Sequence, residues 1–72
     1  MRVPINEKRV SLNMKSKRAA SGLSQEDVGK LLGVSRATVN KQENHPLDLR
    51  LKDFIIYADL YNCSANDFFA AA

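Results

Sequence analysis

The sequence predicts an all-α fold, with five short helices forming one small domain. Three observations carry this. The 72 residues are 44% hydrophobic, enough for one core and too few for two lobes around a cleft. No apolar/polar alternation runs beyond a few residues, so strands are poorly signalled. One start pattern recurs three times. Ser24, Ser35 and Ser64 each follow an apolar residue (Leu23, Val34, Cys63) and precede another four positions later (Val28, Val39, Phe68). A serine hydroxyl caps the orphan amides of a helix start, and the flanking apolar pair staples the entry.

The elements follow in order from these starts and from the stops. Gly22, Gly33 and Asn62 tolerate the left-handed backbone that ends a helix. The first helix is expected near 12–21, the second at 25–32 and the third at 36–43. Pro46 closes the third and opens a loop. The fourth is expected near 50–61, with Asp48 as its cap, and the fifth near 65–70. Asp27 and Asp67 stand three residues after their serines and complete capping boxes. Residues 1–11 form an N-terminal arm outside the domain, which spans 12–69.

The fourth helix carries two apolar stripes. Leu51, Phe54, Ile55, Ala58 and Tyr61 follow helical spacing and are expected in the core. Leu49, Ile56 and Leu60 lie on a second stripe, extended by Tyr57 and Phe69. A domain this small cannot bury a helix all round, so the second stripe is a candidate homodimer surface: Leu49, Ile56, Leu60 and Phe69.

Composition excludes several classes of function. With one cysteine, Cys63, the chain cannot form an internal disulfide, and Cys63 with the single His45 cannot build a zinc site. No metal, cofactor or catalytic residue is expected, and the chain is not read as an enzyme. No apolar run approaches the roughly 20 residues that span a bilayer. Met1–Val10 lacks the apolar stretch of a signal peptide. A cytoplasmic protein without membrane contact is therefore expected. Charge is uneven: residues 1–41 hold nine basic and three acidic groups, residues 42–72 two basic and five acidic. That asymmetry suits a polyanion on one face and another partner elsewhere.

The middle of the chain, 25–44, has helix-turn-helix spacing. Only Gly33-Val34-Ser35 separates the second and third helices. Gly29 lets them cross closely, and Val28, Leu32, Val34 and Val39 fill the corner. On the third helix, residues 36, 37, 40, 41 and 44 share one face opposite Val39. That face is Arg, Ala, Asn, Lys, Asn, without an acid. Arginine can grip a guanine edge, asparagine an adenine edge, and alanine can touch a thymine methyl. The amides at Gln25, where the second helix starts, favour phosphate.

Residues 18–39, R-A-A-S-G-L-S-Q-E-D-V-G-K-L-L-G-V-S-R-A-T-V, resemble the Cro/repressor-type (XRE-like) helix-turn-helix of lambdoid phage repressors and bacterial regulators. Glu43-Asn44 and the ending N-C-S-A-N-D-F-F at 62–69 extend the resemblance. It implies a five-helix, lambda-repressor-like domain whose third helix enters the DNA major groove. It implies that Gln25 contacts a phosphate and supports the third helix. Ser35, Arg36, Ala37 and Lys41 would face base edges or nearby phosphates, and Asn44 a phosphate. Asn40 joins them on the reading face. Thr38 stands at its edge, turned to the backbone or the core. Arg18 and Glu43 would form an inner ion pair. Gln42 departs from the family's apolar residue, leaving that corner either looser or hydrogen-bonded.

The expected function is a dimeric, sequence-specific regulator, most simply a repressor on an inverted-repeat, double-stranded DNA operator. A bacterial or phage-encoded origin follows from the resemblance. One alternative is an antitoxin that represses its own operon, with a toxin protein as partner. Another is a protein-interaction module that has lost DNA binding. Retention on heparin against salt separates that module from a DNA binder.

Overall fold

The computed structural model describes residues 5–70. The order is α1 (Glu7–Ala20), α2 (Gln25–Leu32), α3 (Arg36–Asn44), a 3-10 helix (Pro46–Asp48), α4 (Leu51–Leu60) and a second 3-10 helix (Ala65–Phe69). Among the described residues there is no strand.

The recurring serine start pattern is present at all three helix starts. Ser24 Oγ accepts the Asp27 amide at 3.0 Å, while the Asp27 carboxylate accepts the Ser24 amide at 3.0 Å. These bonds hold the Asp27 carboxyl below its ordinary pKa, the backbone bond being the larger cause. Ser35 Oγ accepts the Thr38 amide at 3.1 Å. Ser64 Oγ accepts from Asn66, and Asp67 accepts the Ser64 amide. Gly22 and Gly33 lie at φ +73° and Asn62 at φ +55°, in the left-handed region expected of them.

Four expectations are corrected. First, α1 starts at Glu7 rather than near 12. Asn6 caps it by accepting the Arg9 amide at 3.2 Å. Residues 7–11 are therefore helix, not arm, and Val10 and Ser11 are buried; residues 1–4 of the arm lie outside the described residues. Second, the fifth helix is a 3-10 helix. The run between the Ser64 cap and Ala70 is short, and the Asp67 amide bonds back to the Ser64 carbonyl, the tighter three-residue closure. The five-helix count thus becomes four α-helices and two 3-10 helices. Third, Asp48 does not cap α4. It closes the 3-10 turn begun by Pro46, and the chain runs extended through Leu49 and Arg50. Arg50 is the cap residue, its amide donating to the Asp53 carboxylate at 3.0 Å.

The fourth correction concerns the register of α4. Leu51 and Ile55 are exposed, at 71% and 48%, whereas Tyr57, assigned to the outer stripe, is buried. The inward line is Phe54, Tyr57, Ala58 and Tyr61. Both registers satisfy helical spacing in a helix so rich in apolar residues. The register that buries three aromatic rings wins, because they remove the most surface from water. Tyr57 and Tyr61 pack with ring centroids 5.8 Å apart, and Phe68 contacts both Phe54 and Tyr61 at 6.3 Å.

One core joins these rings to Val10 and Met14 of α1, Val28 of α2 and Val39 of α3. The Asn13 amide nitrogen donates to the carbonyls of Phe68 and Ala70, both at 2.9 Å, tying the C-terminal turn to α1. Gly29 sets the α2–α3 corner: a Cβ there would stand 2.7 Å from the Val34 carbonyl oxygen. Only glycine admits that approach, so α3 leaves the turn at an angle no larger residue allows.

Candidate nucleic-acid interface

A buried polar network anchors α3 from behind. Glu43 is fully buried at the end of α3. One carboxylate oxygen accepts Arg18 Nε at 2.7 Å and the other accepts Gln25 Nε2 at 2.9 Å. Arg18 also donates to the Leu23 carbonyl at 3.0 Å. A single carboxylate thus ties α3 to α1 and to the first residue of α2. Buried charge is tolerated only when it is paired and hydrogen-bonded in this way.

The Gln42 corner is hydrogen-bonded. The Tyr57 hydroxyl donates to Gln42 Oε1, joining α4 to α3, so of the two expectations for this corner it is the hydrogen-bonded one that the structure shows. Burial, reinforced by the nearby Glu43 and Asp53 carboxylates, pushes the Tyr57 hydroxyl up to about 12, so it stays protonated and able to donate.

With its rear side fixed, α3 presents its opposite face. Arg36, Ala37, Asn40, Lys41 and Asn44 are all exposed, and Val39 is fully buried on the other side. A shallow surface depression gathers Gln25, Arg36, Ala37 and Asn40. Gln25 Nε2 reaches Asn40 Oδ1 at 3.1 Å in addition to Glu43, so this amide braces the α3 face. Ser35 caps α3, and its hydroxyl lies 3.0 Å from that of Thr38. Thr38 is half-buried at the edge of the face and, with Lys41, Gln42, His45 and Arg50, lines a groove toward α4. Arg36 and Lys41 are exposed, and neither is in salt-bridge range of a carboxylate among the described residues.

The dimer candidates are less unified. Leu49 and Leu60 are half-buried and pack against the core. Ile56 is exposed and borders an apolar groove with Leu32 and Val34. Phe69 is exposed at one edge while its ring packs on Phe54, centroids 5.1 Å apart. Phe54 and Ile56 point to opposite flanks of α4, so Ile56 and Phe69 do not form one stripe. Cys63 is half-buried against the core, and burial pushes its thiol pKa up, away from the reactive thiolate.

Sequence reasoning missed Lys15, whose ammonium donates to Asn44 Oδ1 at 2.8 Å. A signal was available. Lys15 stands three residues before Arg18, and residues three apart share a helix flank. Whatever brings Arg18 to the end of α3 brings Lys15 there too.

A helix-turn-helix family model matches residues 14–68, about three quarters of the chain. Neither the comparison with curated proteins nor that with solved structures returned a match. Among the described residues, no helix is long and apolar enough to cross a membrane.

Proposed function

We propose, from the premise that the chain belongs to this helix-turn-helix family of Cro/repressor type, that it is a sequence-specific repressor reading an inverted-repeat operator as a homodimer. Proteins of this family are DNA-binding regulators in general. The observation that carries the finer reading is the exposed, acid-free face of α3, backed by the fully buried Glu43 network. A polyanion can approach that face without meeting a carboxylate, and the helix behind it is fixed in angle. Rigid presentation matters because base edges are read by hydrogen bonds of narrow geometry.

Selection from a random duplex pool tests the reading. The wild type should enrich an inverted repeat with half-sites about one DNA turn, roughly 34 Å, apart. Arg36→Ala should bind that sequence about 1–3 kcal/mol more weakly and relax preference at one base pair per half-site. Its circular dichroism should match the wild type. Unchanged affinity would remove Arg36 from the reading set.

The dimer rests on α4, where Ile56, Leu51 and Ile55 leave apolar surface exposed on a domain too small to carry much of it idly. Ile56→Asp should give helical monomers by sedimentation and weaken operator binding. A persistent dimer would move the interface elsewhere. The same exposed face is what an interaction module without DNA binding would present. That second reading gains if the chain elutes from heparin at low salt and enriches no sequence.

A further inference from the structure

We propose that the DNA-contacting surface extends from α3 onto one flank of α1, where Lys15 binds a backbone phosphate and orients Asn44 toward it. This rests on the DNA-binding reading above. The juxtaposition is direct: Lys15 Nζ and Asn44 Oδ1 are 2.8 Å apart across 29 residues of chain. An ammonium only donates, so the Asn44 carboxamide must turn its oxygen to Lys15. Its NH2 group is then directed away from Lys15 as a free donor, the polarity a phosphate oxygen requires.

The location favours a cation beyond Lys41, the basic residue in the last turn of α3. Asn44 is the last residue of α3, and a helix C-terminus carries partial negative charge that repels phosphate. A fixed positive charge at that end offsets the repulsion. Lys15 is available for this in a way Arg18 is not, since Arg18 is committed to Glu43 and the Leu23 carbonyl. Among the described residues, no carboxylate lies in salt-bridge range of Lys15. Glu7, the acidic residue on α1, accepts the Leu47 amide instead. Lys8, seven residues before Lys15, falls on nearly the same helical line, about 10 Å along it, and prolongs the basic flank.

The opposite flank of α1 supplies the control. Asn13 faces the C-terminal 3-10 helix, and Lys17 lies close enough to Cys63 to act on its thiol. Lys17→Met removes the same charge from the same helix on the wrong side.

The test is binding to a mixed-sequence DNA duplex, by fluorescence anisotropy across a salt series. Lys15→Met should lower affinity several-fold and flatten the slope of log K against log salt by about 0.9, the loss of one neutralised phosphate. Lys15→Arg should keep the wild-type slope, and so should Lys17→Met. In a double-mutant cycle, Lys15→Met and Asn44→Ala should combine to less than the sum of their effects, because each disables the same donor. An unchanged slope in Lys15→Met, or an equal flattening in Lys17→Met, overturns the phosphate contact. Strict additivity overturns the orienting of Asn44. If the wild type itself shows no salt-dependent binding, the DNA-binding reading fails, and this extension with it.

Discussion

Glu43→Ala is expected to destabilise the domain by about 3–5 kcal/mol, because it leaves the Arg18 guanidinium largely buried without its anion. It also frees Gln25 Nε2 from one of its two acceptors and opens a void at a fully buried position. A domain of this length has a total stability of only about 4–11 kcal/mol, so much of it would be lost. The melting temperature should fall by more than about 10 °C. Glu26→Ala is the matched comparison. Glu26 is exposed, and its contact with Lys30 is a surface pair at 3.7 Å. Removing it should change stability by no more than about 0.5 kcal/mol. Equal melting of the two variants would refute the role given to the inner network.

Phe68→Ala is expected to cost about 3–5 kcal/mol, the range for emptying a buried aromatic site. Phe68 is fully buried and touches the rings of Phe54 and Tyr61. It reaches the core from a five-residue 3-10 helix, whose own backbone bonds cannot hold it in place. Losing the ring should therefore release the C-terminal turn as well as leave a cavity. Phe69→Ala, next in sequence but 44% exposed, should lose well under half as much in urea denaturation. Similar losses for the two would mean that the turn, rather than the Phe68 ring, carries the stabilisation.

Much of the fold was legible because its signals are local. Ser24, Ser35 and Ser64 act within three residues of themselves, and Gly33 answers to its own backbone angle, so α2 and the α2–α3 turn were read to the residue. Where tertiary packing decides, the sequence was ambiguous. The apolar residues of α4 fit two inward registers, and only the positions of Phe68 and Gln42 select the one that buries Tyr57. The start of α1 was hidden by its polarity: Lys8 and Arg9 look like arm, and the helix becomes visible only once Val10 and Met14 have a core to enter. In the candidate interface, the α3 face followed from helical spacing alone. Lys15 becomes legible only through Arg18: its partner lies 29 residues away, and the link runs through the Arg18–Glu43 pair three residues along the same flank of α1.

Whether α3 is the DNA-reading element is decided by amide NMR titration of the protein with its selected duplex. The largest shifts are expected at residues 35–44, with Gln25 and Lys15 following, and little change at Leu51 and Ile55 on the exposed side of α4. Shifts concentrated on α4 with residues 35–44 unmoved would contradict that role for α3.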